Sequence, residues 1–178
     1  MNAREKILST AGSLFMLRGY ELVGVNEIIE KSEVAKATFY NHFKSKESLC
    51  YEWLKSVWED SKANNDSIQS TGSNFEAKVS QKYKGLEHSL INHSYRGCPF
   101  SNTKVMLPDS ELISKLIVDY KEYSRGFWKQ LAKGEGKPEQ LGEALFLLYS
   151  GATAEAQNAQ DLWPVKSALS ASIGMANL

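Results

Sequence analysis

Little in this chain advertises chemistry. Only two cysteines occur, Cys50 and Cys98, far apart and without CxxC spacing. That pattern argues against a zinc site or a disulfide framework and suits a reducing cytosol. His88 and His93 lie five positions apart, which does not align them on one helix face, so no metal site is expected. No GxSxG elbow, P-loop, GxGxxG or HExxH is present, and no carboxylate–histidine cluster stands out. Neither catalysis nor a cofactor is therefore expected. Charge is balanced, 21 basic against 21 acidic residues, so bulk electrostatics does not announce a nucleic-acid partner. Long apolar runs are missing too: the most apolar stretch, residues 141–154, is short and contains Glu143. The N-terminus, Met1-Asn2-Ala3-Arg4-Glu5-Lys6, leads into a charged amphipathic pattern rather than a signal-peptide core. The expectation is a soluble, cytoplasmic protein with no membrane partner.

What is present is helical periodicity. Ile7, Ala11, Leu14 and Phe15 form the stripe of a first helix that stops at Gly19. Val25, Ile28 and Ile29 give a second, and Val34, Phe39 and Phe43 the inner face of a turn and short third helix. Ser45 suits the N-cap of a fourth, carrying Leu49, Cys50, Trp53, Leu54, Val57 and Trp58, which the polar tract 61–74 should end. Phe75, Val79, Tyr83, Leu86 and Leu90 mark a fifth helix, followed by a Gly97-Cys98-Pro99 turn and a short apolar element over 100–107. Leu112, Leu116, Tyr120, Tyr123, Phe127 and Leu131 keep helical steps until the break at 134–138. Two terminal helices follow, the last starting at Pro164 with Asp161 as a cap upstream. No strand pattern survives. The fold class is all-α, with about nine helices.

The most informative segment is 28–46: a helix, a sharp turn and a short second helix closed by a basic cluster. Between residues 34 and 46 stand three lysines, one histidine and no acid. The basic character is local, since residues 1–49 hold seven basic and six acidic side chains. Thr38, Tyr40 and Asn41 add groups that can hydrogen-bond phosphates or base edges. A short polar-tipped helix behind a scaffold helix is the geometry that enters a DNA major groove. A bare helix pair of this kind is common; the wording here is more specific. The run Ile7-Leu8, Ala11, Leu14-Phe15, Gly19-Tyr20, Val25, Ile28, Val34, Thr38-Phe39-Tyr40, His42-Phe43, Ser45-Lys46-Glu47 and Leu49 resembles the DNA-binding domain of the TetR family of repressors.

The resemblance covers about the first fifty residues and implies roles by position. Lys36, Ala37, Thr38 and Asn41 hold the base-approaching positions; Lys36 could donate to guanine O6 or N7, and Ala37 could touch a thymine methyl. Tyr40, His42 and Lys46 match phosphate-contacting positions, which fix register without reading sequence. Two departures stand out. Val23 and Gly24 replace the usual Thr and Ser, removing a hydroxyl and a good cap, and Asn26 occupies a DNA-facing position where arginine is frequent.

The resemblance divides the chain into a helix-turn-helix domain over 1–48 and a larger helical effector-binding and dimerisation domain over 49–178. Arg96-Gly97-Cys98-Pro99-Phe100 looks like a Gly-Cys-Pro-Phe motif of one subgroup. Trp53, Phe75, Tyr83, Cys98, Phe100, Tyr120, Tyr123 and Phe127 are the candidates to line an effector cavity, with Trp128 beside them. For each alone, core filling is the simpler role. Cys98 also admits a redox reading, though core packing is the simpler one. Leu145, Leu148, Ala152, Leu169 and Ile173 are the candidate dimer contacts, as part of a four-helix bundle with a second copy. The expected function is a ligand-responsive repressor that binds a palindromic operator on double-stranded DNA as a homodimer. A small hydrophobic or aromatic effector would release it. Control by cysteine oxidation or by a protein partner is the alternative, and an enzyme with a non-motif site the remote one.

Overall fold

The first helix starts where Asn2 and Glu5 can satisfy each other. The Glu5 backbone N–H donates to Asn2 Oδ1 at 2.9 Å, and the Asn2 N–H donates to Glu5 Oε2 at 3.0 Å, a reciprocal capping box. The computed structural model describes residues 1–176, and nine helices lie among them: α1 (Ala3–Arg18), α2 (Val25–Ser32), α3 (Lys36–His42), α4 (Lys46–Ser70), α5 (Phe75–Asn92), α6 (Pro99–Met106), α7 (Glu111–Gly134), α8 (Glu139–Ala159) and α9 (Trp163–Ala176). No strand occurs among the described residues, in line with the all-α expectation.

Most boundaries follow the local chemistry. Ser45 and Ser48 cap α4 reciprocally, each backbone N–H donating to the other's hydroxyl at 3.0 Å. The Trp163 N–H donates to Asp161 Oδ1 at 2.7 Å, fixing the entry to α9. One boundary differs from the sequence reading. The polar tract 61–74 ends α4 only late: the helix runs ten residues into it, to Ser70. Asn65 and Ile68 are buried there, so tertiary packing overrides the poor helix propensity of Asn and Ser.

The chain forms two compact units, Met1–Glu59 with Pro99–Ile117 and Asp60–Cys98 with Val118–Leu178. In the first, α1 packs on α2 and α3 around Ile7, Phe15, Val23, Ile28 and Phe39, with Leu49, Cys50 and Phe100 also buried. Burial pushes the Cys50 thiol up to about 12. In the second, α9 packs on α5 and α8 around Val79, Tyr83, Trp128, Leu145 and Val165. No helix among the described residues is long and apolar enough to cross a membrane.

Candidate nucleic-acid interface and effector unit

α3, the candidate reading helix, is presented by burying one ring. Phe39 is fully buried at the centre of α3, with Phe43 packed 6.2 Å from it. That anchor turns the opposite face of α3 outward. Lys36, Ala37, Asn41 and His42 are exposed, Tyr40 is 42% exposed with its ring edge-on to Phe39, and Thr38 is half-buried. Seven of the eight residues read as DNA-facing, Asn26 among them, are thus at least partly open to solvent on α2 and α3.

The tight turn before α3 is made by Glu33 in the left-handed region (φ 54°, ψ 43°), where its N–H donates to the carbonyls of Ile29 and Glu30. On α2, Glu27 receives Arg18 at 2.5 Å and Lys31 at 3.0 Å, and the Lys31 hydrogen bond is the main force holding its carboxyl below the usual range. The Arg18 pair ties α1 to α2, the Lys31 pair lies within α2, and Lys36 and Lys44 are exposed at the start of α3 and just beyond its end. As the Val23-Gly24 sequence suggests, α2 has no side-chain cap; Val23 is instead buried.

The eighth residue, Lys46, is differently employed. Its ammonium donates to the carbonyls of Tyr20 and Val23, both at 3.1 Å, and lies 4.1 Å from the Tyr20 ring centroid. Lys46 thereby clamps the α1–α2 loop, and one remaining donor is what it has left for a phosphate. Burial raises the Tyr20 hydroxyl to about 12, so this ring stays a neutral platform for the cation.

The candidate effector residues divide between the units. Trp53 and Phe100 belong to the first, where Trp53 packs 5.5 Å from Phe15 and covers Gly12. Phe75, Tyr83, Cys98, Tyr120, Tyr123 and Phe127 belong to the second. There Tyr83, Trp128 and Tyr149 form a ring cluster with centroids 5.4–6.2 Å apart, and Phe127 joins it 5.5 Å from Trp128. The sequence reading missed what stands among these rings. Lys82 is 7% exposed, donates to Asn65 Oδ1 at 2.5 Å, and lies 5.1 Å from the Phe127 centroid and 5.6 Å from that of Tyr149. Burial lowers its pKa to about 8. A lysine at a core-facing helical position was the available signal: Val79, Lys82, Tyr83 and Leu86 share one stripe. Cys98 is half-buried, with the Lys121 ammonium 3.8 Å from its sulfur.

Of the candidate dimer residues, Leu145 and Ala152 are buried in the core of their own unit, whereas Leu148, Leu169 and Ile173 are half-buried. The open face of α8 carries Leu147, 67% exposed, with Gly151 and Ala154 at helical spacing. No group of three His, Cys, Asp or Glu among the described residues could hold a metal.

An N-terminal helix-turn-helix with an outward basic and polar face has the architecture of a DNA-binding domain, here followed by a helical unit with its own core. Residues 7–52 match the family model described as bacterial regulatory proteins, tetR family. The N-terminal helices of this chain are thus similar to the DNA-binding part of tetR-family regulatory proteins. Over 63 residues the chain is 41% identical to the HTH-type transcriptional regulator QacR of Staphylococcus aureus, a match spanning 34% of each protein. It is 23% identical to the HTH-type transcriptional repressor NemR of Escherichia coli, covering 94% of this chain and 90% of NemR. Its fold is that of SCO4454, a TetR-family regulator from Streptomyces coelicolor, with a TM-score of 0.87 at 23% identity over 98% of this chain and 94% of that one.

Proposed function

We propose that this chain is a ligand-responsive transcriptional repressor. It binds a palindromic operator as a homodimer and is released by a small hydrophobic or aromatic effector in its second unit. The carrying observation is the outward face of α3, where Lys36, Ala37, Tyr40 and Asn41 surround the buried Phe39 anchor. Two such helices, one per protomer, would meet successive major grooves about 34–36 Å apart. The exposed strip Leu147, Gly151 and Ala154 supports a partner-facing surface on α8. Release requires the effector to bind the DNA-incompetent state more tightly, since equal affinity for both states shifts nothing.

Fluorescence anisotropy with DNA from upstream of the protein's own gene tests the reading. The double substitution Lys36→Ala, Tyr40→Phe should weaken binding at least roughly tenfold through lost phosphate and base contacts while leaving the oligomer intact. Unchanged affinity would refute the residue roles. A second reading, control through the thiol, is favoured by the Lys121 ammonium beside Cys98. Under it, peroxide should release the operator from the wild type and leave Cys98→Ser bound.

A further inference from the structure

Among the described residues, Lys82 is an ammonium without an anion. Its one hydrogen-bond acceptor is the neutral Asn65 Oδ1, and the Asn65 amide is itself oriented by donating to the Tyr123 hydroxyl at 3.2 Å. No carboxylate pairs with it, and the phenols cannot supply charge: burial raises both Tyr83 and Tyr149, keeping them neutral. The faces of Phe127 and Tyr149 attract the cation, but they replace only part of the hydration it has lost. A second donor stands against the same two rings. The Trp128 indole N–H is buried without an acceptor, and its ring lies 5.5 Å from each of Phe127 and Tyr149. Buried polar groups in a native fold are normally satisfied. Among the described residues, two donors are in excess within one aromatic cluster, and no buried acceptor is left over to match them.

We infer that the effector is an organic monoanion, an aromatic carboxylate whose charge is met by Lys82 and the Trp128 N–H and whose ring packs among Tyr83, Phe127 and Tyr149. One ammonium compensates one negative charge, which selects a monoacid over a diacid or a phosphate ester. The rings supply the apolar area a flat ligand needs, and the two donors fix its orientation, the usual division of labour in a small-molecule site. The inference rests on the proposal that the second unit senses an effector, and it names that effector's chemical class.

Calorimetry and thermal shift on the full chain, with benzoate and trans-cinnamate each compared with its primary amide, test it. The acids should raise the melting temperature, and the amides should bind roughly tenfold to a hundredfold more weakly, as expected for a hydrogen bond between charged partners. Lys82→Met should abolish that discrimination, and Trp128→Phe, which keeps an aromatic ring but loses the donor, should weaken the acids several-fold. Lys78→Met, removing a charge from the same helix at a position paired with Glu135, should leave acid binding intact. Equal binding of acid and amide, wild-type acid affinity in Lys82→Met, or no binding of either acid would overturn the inference. Operator release, read in parallel, separates the two claims. Release by the amides but not the acids keeps an effector-gated regulator and removes the anion; acid binding without release keeps the anion site and removes its regulatory role.

Discussion

Lys82 shows how one residue can set both a cost and a function. In the unfolded chain it titrates near the ordinary 10.5, whereas in the fold burial brings it to about 8. Between those values the unfolded chain binds more protons, so stability contributed at this position rises with pH through that window. Below about 8 the full penalty is present, on the order of 3 kcal/mol. Lys82→Met should therefore be more stable than wild type at pH 7, and the gap should close as pH approaches 10.5. Urea melts of both proteins across that range check this, and an equal gap at both ends would contradict it. Cys50 runs the other way: its thiol, raised to about 12, contributes stability below the ordinary 9 that is lost as pH rises through 12. It is present in both proteins and cancels from the difference. Lys46 makes the complementary point. Sequence position suggested a phosphate contact, whereas the ammonium is largely occupied by two loop carbonyls.

At the scale of elements, caps and close approaches carry the local stability. Ser45 and Ser48 close α4 behind the reading helix, so Ser45→Ala should cost about 1 kcal/mol in denaturant unfolding. Gly142 is a sharper case. A Cβ there would lie 2.6 Å from Lys129 Cα and 2.7 Å from the Trp128 carbonyl oxygen, so α8 meets α7 backbone to backbone. Backbone cannot move aside as a side chain can, and Gly142→Ala should lose about 1–3 kcal/mol or more. Gly85, exposed in α5 with nothing within 4 Å of a new Cβ, is the control. Gly85→Ala should gain about 0.5–1 kcal/mol through helix propensity. Similar behaviour of the two alanines would mean that α7 and α8 are not so closely packed. The polar extension of α4 belongs here as well, because its burial of Asn65 is what orients the acceptor for Lys82.

For the whole molecule, the decisive question is whether two reading heads are held together. Leu147 is solvent-exposed on α8 in a strip with Gly151 and Ala154. Leu147→Glu should leave the monomer fold intact, shift sedimentation toward the monomer, and reduce binding to a two-half-site operator far more than to a single half-site. A dimer that persists unchanged would move the interface elsewhere. Leu145 and Ala152, two of the five candidate dimer contacts, are occupied in the core of their own unit. An amphipathic helix with two apolar faces cannot say from its sequence which one meets a partner.

The sequence by itself determined the helices and most of their ends, the far end of α4 excepted, because helical periodicity, Ser45, Asp161 and the 134–138 break act locally. It also determined the helix-turn-helix, whose short-range spacing of Phe39 against Lys36, Tyr40 and Asn41 orients the reading face without reference to the rest of the chain. Tertiary structure alone decided the long-range pairings: that Lys46 clamps a loop 23 to 26 residues away, and that Trp53 packs on Phe15. It alone placed Asn65 and Lys82, from two different helices, in one ring of aromatics. Such contacts depend on which faces pack together, and burial then changes the chemistry of a lysine whose sequence context looks ordinary.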